Sequence, residues 1–489
     1  MKYIIALDQG TTSSRAILFD MNYKIVNSAQ KEYRQYFPKE GWVEQNPIEL
    51  LQSQLEVLKE VSQDLPHGSI IGIGITNQRE TTVLWDKITG EPVYNAIGWQ
   101  CRRTSEYCKT LEKDKELIHK TSGLIIDAYF SATKIKWILD NVSEVREKAE
   151  KGDILFGTVD SWLLWNLTKG KEHKTDYTNA SRTMIFDINK LEWSKELLEL
   201  FNIPKNILPK VESSNSNFGI TSILGYDIPI TAICGDQQSS LFGQGCFSEG
   251  EAKITYGTGC FMLLNSGEKP ILSEKGLLTT IGISTNNKIN YALEGSVFAG
   301  GTVIKWLRDN MGIIKNAAES EYVARSIPDN GGVYIVPAFV GLGTPHWDSD
   351  ARGTIMVLTF VNDTRHIVRA GLEAIAYQCY DVISVMEKEM GKEVIALKVD
   401  GGAALNDFLM EFQSAILNKK IYRPVVYEST AYGVYILSIL NLGIEKDLEQ
   451  IKNKIEFNRI FEPTEMSINR EKLLKYWSKA LERAKNWLE

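Results

Sequence analysis

No Gly-Lys-Ser/Thr triplet occurs in the 489 residues, and neither a G-x-G-x-x-G loop nor the His-Arg-Asp and Asp-Phe-Gly pairs of a protein kinase are present. The familiar single-loop phosphate binders are thereby excluded. Cysteine is sparse: Cys101, Cys108, Cys234, Cys246, Cys260 and Cys379 stand apart with no C-x-x-C pair. That pattern fits free thiols in a reducing cytoplasm rather than a zinc site. Histidine is rarer still. His67, His119, His173, His346 and His366 all lie outside the polar turns described below, so a Ser–His–Asp hydrolase is poorly supported. No stretch approaches the ~18 apolar residues of a membrane span. The apolar run after Lys2 stops at Asp8, so no secretory leader is expected. A formal net charge of −7 lacks the basic field of a nucleic-acid binder.

What is present is an α/β grammar on a chain long enough for two to four domains. Tyr3–Leu7, Ala16–Phe19 and Lys24–Ala29 read as three strands. Asn46 and Pro47 then open a helix predicted to bury Ile48, Leu51, Leu55 and Leu58. A buried strand, Ile70–Ile75, follows, with helices expected around Thr133–Asn141 and Thr158–Leu167. Ile230–Cys234 reads as a strand running into GDQQ. Ala252–Asn265 then repeats the opening: apolar strand, polar turn, apolar strand. A unit used twice, about 250 residues apart, predicts two similarly built α/β domains, 1–243 and 244–489, with a cleft between them. The chain closes on an amphipathic helix carrying Leu473, Trp477, Leu481, Ala484 and Leu488 on one side.

The two turns are richer in polar groups than chain reversal needs. Gly10-Thr11-Thr12-Ser13-Ser14 packs four hydroxyls beside Arg15. A phosphate tail needs backbone N–H groups, hydroxyl donors and a cation in a turn free of bulky side chains. Asp8, at its strand end, suits Mg²⁺, which on nucleotides takes few carboxylates and several waters. The alternative is a hairpin whose Thr and Ser merely satisfy the turn. The second turn, Gly257-Thr258-Gly259, favours the phosphate reading, because two such turns can grip a phosphate chain from opposite sides. In VDGGAALNDFLMEF a strand, Ile395–Val399, leads into Asp400-Gly401-Gly402 and a helix carrying Asn406. Paired glycines let backbone lie flat against a planar ligand; the alternative is a plain strand–helix turn with Asn406 exposed.

DQGTTSSRA, ITNQRET, GWQCRRT, TDYTNASRT, GDQQ, TYGTGCF and VDGGA occur in this order across nearly the whole chain. Together they are similar to the motifs of the glycerol kinases, a branch of the carbohydrate-kinase family with the actin-like, ribonuclease H-like fold. The resemblance implies two ribonuclease H-like (actin-like ATPase) domains around an interdomain catalytic cleft. It further implies ATP and Mg²⁺, glycerol as small-molecule substrate, a cytoplasmic enzyme, and a homodimer or homotetramer. Thr11, Thr12, Ser13, Arg15 and Thr258 would position the phosphates, while Gly301, Lys305, Gly402 and Asn406 would lie by the nucleoside. Asp8 and Asp236 would hold the metal. Arg79, Glu80, Tyr129, Asp236 and Gln237 would meet the substrate hydroxyls, with Trp99 and Phe261 against its carbons. Asp236 would be the general base.

Taken alone, these residues admit plainer roles. Arg79-Glu80 reads equally as a surface ion pair. Trp99, Phe261 and Tyr129 read as packing, and Asp236 as the cap of a helix starting at Gln237. Two departures from the family pattern stand out. Lys305 replaces a Gln common near the nucleotide, and either pairs with phosphate or extends to solvent. No Arg occurs from Thr183 to Leu307, and no His between His173 and His346. Inhibition by fructose 1,6-bisphosphate through an Arg-bearing loop before GDQQ, and a regulatory phosphohistidine, are therefore not expected.

Overall fold

Two sheets, with a pair of helices wedged between them, place every polar turn singled out above. The computed structural model describes residues 1–488. In the first sheet, β1 (Tyr3–Gln9), β2 (Ser13–Asp20) and β3 (Ile25–Glu32) form an antiparallel meander. Helix α1 (Pro47–Ser62) leads to β4 (Ile70–Asn77), which pairs parallel to β1. The edge strand β5 (Gly219–Thr221) follows, then β6 (Ile228–Gly235), parallel to β4. The strand order is β5-β6-β4-β1-β2-β3.

The second sheet repeats this plan. β7 (Glu251–Tyr256) turns back into β8 (Cys260–Gly267), and β9 (Leu278–Thr285) and β10 (Lys288–Val297) extend that side. On its other side β7 takes β11 (Ala396–Asp400) in parallel, followed by β12 (Ile421–Pro424) and β13 (Phe457–Phe461). In both sheets the first strand hairpins into the second and receives a returning parallel strand on its free edge. The recurrence visible in the sequence is thus a recurrence of sheet order.

Helix α2 (Asp236–Gly243) starts directly from β6. Later helices include α3 (Gly301–Asp309), α4 (Thr364–Met390), α5 (Asp407–Leu417), α6 (Ser429–Asn441) and α7 (Arg470–Ala484). α6 packs against α2 and against strands β1, β4 and β6, while α2 also touches β7 and β8. The α2–α6 crossing is close because it is made at glycines. A Cβ on Gly433 would lie 2.0 Å from the Ser239 carbonyl oxygen, and one on Gly243 2.1 Å from that of Ser429. Neither neighbour is a flexible side chain, so Gly433→Ala must part the helices. It is expected to cost about 1–3 kcal/mol in chemical denaturation, as overpacking does, and to lower kcat because α2 begins at Asp236.

Two sequence expectations need correction here. On α1 the buried residues include Leu50, Ser53, Gln54, Val57, Leu58 and Val61, leaving Ile48, Leu51 and Leu55 half-buried. The helix is rotated because its polar Ser53 and Gln54 hold the first hairpin. Ser53 Oγ is 2.7 Å from Ser14 Oγ, and Gln54 Nε2 donates to the Arg15 carbonyl at 2.8 Å. At the other end, α7 stops at Ala484, so Leu488 lies beyond it and is exposed. All six cysteines are buried free thiols. Among the described residues no helix is long and apolar enough to cross a membrane.

Candidate active site

The first hairpin is built to turn its carbonyls away and its amides outward. Tyr33 Oη donates to the Gly10 and Thr11 carbonyls, both at 2.6 Å, and Gln45 and Gln78 add bonds to the same two groups. Tyr33 N takes the Thr12 carbonyl. Among the described residues no acceptor meets the amides of Thr11 and Thr12, which is the arrangement of an anion-binding nest. Not every hydroxyl is free. Ser14 is buried against Gln9 and Ser53, so it braces the turn. Ser13 Oγ accepts from Gln30, and Thr11 Oγ1 from the indole N–H of Trp99 at 3.0 Å. Thr12 is exposed. Arg15 spends one N–H on Glu428, just before α6, at 2.8 Å.

The second hairpin is steadied by α3. The amides of Gly300, Gly301 and Thr302 donate to the carbonyls of Thr258, Gly257 and Thr258, and Thr258 itself is exposed at the tip. A Cβ on Gly301 would sit 2.7 Å from the Gly257 oxygen, so only glycine permits this contact. Lys305 is exposed on α3, one turn before Asp309. Gly401, at φ +86°, lies against Tyr256, whereas a Cβ on Gly402 would meet nothing within 4 Å, leaving an open flat surface. Asn406 precedes α5 rather than riding on it. Its side chain is buried, accepting from the Leu409 amide at 3.0 Å and donating to Ser320 Oγ at 3.1 Å.

A charged cluster of Arg79, Glu80, Arg182, Asp236 and Glu294 joins the two sheets. Asp236 is the first residue of α2; the cap position is Gly235, so Asp236 is not the cap that the plainer reading assigned. Its Oδ1 accepts from the Gln237 amide at 2.7 Å and stands 3.3 Å from Arg79 Nε, with 29% of the side chain accessible. Burial pushes its pKa above the ordinary 3.8, while Arg79, the Gln237 amide and Lys253 pull the other way. Trp99 and Tyr129 meet edge to face at 5.5 Å, both half-buried. Phe261, half-buried, lies on the second sheet, opposite Thr255 and Ser296 in the ladder.

Arg79 and Glu80 do not form the surface pair that their adjacency suggests. Both are buried, 3.8 Å apart at closest charge, and each is claimed by a distant partner. Arg79 grips Glu294 with two N–H groups, at 2.6 and 3.1 Å. Arg182 Nε donates to Glu80 Oε1 at 2.6 Å, and its Nη2 to Glu294 at 3.0 Å. Buried charges persist only when paired in this way. Glu80 also sits at φ +60°, with its carbonyl held by Ser131 and Thr82. Residues held firmly in this strained region cluster at functional sites. Lys253 of β7 donates to Gln237 Oε1 at 2.5 Å and to Thr255. The sequence reading missed Arg182, Glu294 and Lys253; the Arg in TDYTNASRT was the only signal available.

The residues fit Mg²⁺ on a nucleotide. Burial pushes the Asp8 carboxyl up to about 7, against Arg15, while Asp236 and Glu428 add to the rise. A carboxylate so desolvated, close enough to feel Asp236, suits an ion bringing its own waters and phosphates. Among the described residues no set of three or more His, Cys, Asp or Glu forms an all-protein cage. One turn with unmet amides, a second polar turn with Thr258 exposed, an open glycine surface and a partly accessible carboxylate in a charged cluster are parts that suit phosphoryl transfer to a hydroxyl.

Comparison with known proteins agrees with that chemistry. Residues 3–243 match the N-terminal domain, and residues 252–442 the C-terminal domain, of the FGGY family of carbohydrate kinases. The chain belongs to this family. It is 54% identical to a glycerol kinase of Fusobacterium nucleatum, with all of both chains covered. It is 55% identical to glycerol kinase 2 of Thermotoga maritima, over 100% of this chain and 99% of that one. The glycerol kinase of Plasmodium falciparum, solved with ADP, superposes with a TM-score of 0.95 at 39% identity, covering 99% of this chain and 98% of that one. A xylulose kinase of Lactobacillus acidophilus shares the fold, with a TM-score of 0.91 at 23% identity over 99% and 98% of the two chains.

Proposed function

We propose that the chain transfers the γ-phosphate of ATP to glycerol, giving sn-glycerol 3-phosphate and ADP. The observation that carries this reading is Asp236: a partly accessible carboxylate at the start of α2, fixed 3.3 Å from Arg79 Nε in the charged cluster that joins the two sheets. The relatives at over 50% identity support the choice of glycerol. Residues 1–243 supply the first hairpin and the triol pocket apart from Phe261; residues 244–489 supply Phe261, the second hairpin and the nucleoside surface.

Asp236 accepts the proton of the terminal hydroxyl as that oxygen attacks phosphorus, with ADP as leaving group. Arg79, Glu80, Tyr129 and Gln237 orient the hydroxyls, and Trp99 and Phe261 sandwich the carbon chain. Thr11, Thr12, Ser13, Arg15 and Thr258 hold the phosphates in line, while Gly301, Lys305, Gly402 and Asn406 border the nucleoside. Mg²⁺, held by Asp8 and Asp236, supplies charge neutralisation on the phosphate oxygens when bound. Trp99 and Phe261 would wall the carbon chain on two sides, which disfavours larger sugars. Six buried thiols suit a reducing cytoplasm.

A coupled assay of ADP release across glycerol, dihydroxyacetone, glyceraldehyde and pentuloses tests the reading. The highest kcat/KM is expected with glycerol. A pentulose preferred over glycerol would overturn the substrate, and an ADP rate indifferent to any acceptor would point instead to an ATPase.

A further inference from the structure

We propose that Glu294, on the second sheet, is a positioning residue for the triol: its carboxylate sets the guanidinium of Arg79 directly and the carboxylate of Glu80 through Arg182. This rests on the glycerol reading and names what aims the pocket's polar groups. Glu294 lies on β10, in register with Leu263 of β8, which in turn faces Lys253 of β7. Opposed residues of a ladder share a face, so Glu294, Lys253 and, two residues on, Ser296 and Phe261 all look toward α2. Residues 1–243 thus contribute the polar groups proposed to touch substrate, and the second sheet contributes the charge that holds Arg79 and Arg182.

The bonding pattern explains why one carboxylate matters so much. Three guanidinium N–H groups converge on it, two from Arg79 and one from Arg182. With its fork clamped, Arg79 presents Nε to Asp236 rather than closing on it. Arg182, pinned at the same oxygen, turns Nε to Glu80 and stacks over Tyr129 at 5.6 Å and Phe130 at 5.3 Å. Among the described residues no donor meets Glu80 Oε2, so that oxygen remains for a hydroxyl. Freed from Glu294, Arg79 has Asp236 and Glu80 as its nearest carboxylates, at 3.3 and 3.8 Å. It would move onto them and occupy the acceptors that the substrate uses. Misplacement on the 1 Å scale is enough to cost roughly 100-fold in rate.

The test is titration of glycerol and, separately, of a non-hydrolysable ATP analogue into wild type, Glu294→Gln and Glu294→Asp, with thermal unfolding in parallel. In Glu294→Gln, glycerol affinity is expected to fall roughly 10- to 100-fold, the worth of a hydrogen bond or two to charged groups, while ATP-analogue affinity stays within about twofold of wild type. Glu294→Asp keeps the charge but shortens the reach, so a smaller, still glycerol-selective loss is expected; it decides the matter if Glu294→Gln does not fold. Wild-type glycerol affinity in a folded variant would overturn the role of Glu294, as would equal losses for glycerol and nucleotide. Failure of the wild-type protein itself to bind glycerol would instead overturn the glycerol reading on which this one stands.

Discussion

Asn at position 236 lowers kcat by about 10²- to 10⁴-fold, the range removed with a positioned general base, while the fold survives because the side chain is isosteric. The hydrogen bond that Asp236 accepts from the Gln237 amide can be made equally by an amide oxygen. Single-turnover kinetics on the purified variant, with circular dichroism as a folding control, measure both halves of this expectation. The pH dependence follows from the same carboxylate. Burial raises its pKa above 3.8, and a base must be ionised to work. Activity is therefore lost as pH falls through that raised value, and the acidic limb of kcat/KM lies above the ordinary carboxylate range. A limb at or below pH 3.8 would contradict the assignment.

Arg79→Met strikes both stability and substrate affinity. The methionine fills much of the volume but strands Glu294, which keeps only Arg182. Breaking a buried pair by removing one partner costs about 3–5 kcal/mol. The exposed pair Arg102–Asp127 provides the contrast: it is just as short, at 2.6 Å, but half of the Arg102 side chain is in solvent. Arg102→Met should cost less than about 1 kcal/mol. Denaturant midpoints for the two variants separate these cases, and similar losses would contradict the burial argument. Acid reports the same network. Burial opposes ionisation of Glu294, yet Arg182 and Arg79 hold its pKa down to about 2. A lowered carboxyl pKa stabilises the fold above the ordinary value and ceases to do so as pH falls through the lowered one. The Glu294 share of stability is therefore present above pH 4.5 and lost between there and about 2.

The sequence disclosed the repeated sheet plan and the polar turns because both are local: alternating apolar runs, glycines and hydroxyls within fifteen residues. Asp236 was legible for a similar reason, standing at the end of an apolar strand. The side chains that hold the pocket were not. Glu294 lies 215 residues from Arg79 and 112 from Arg182, and nothing in its own strand marks it as charged for a purpose. Lys253 reads as an ordinary strand lysine until β7 is laid against α2. Adjacency also misled. Arg79 and Glu80 are neighbours in the chain yet bond elsewhere, and Ser14 looks like a phosphate ligand but braces α1. In α1 the apolar period was rotated by two polar residues whose partners lie on another strand.

The most direct measurement is a crystal structure with glycerol and a non-hydrolysable ATP analogue bound together. The phosphates should lie between the turns at Thr11 and Thr258, with the terminal phosphate directed at a glycerol hydroxyl that contacts Asp236. A nucleotide bound away from either turn, or a glycerol whose hydroxyls do not approach Asp236, would contradict the account.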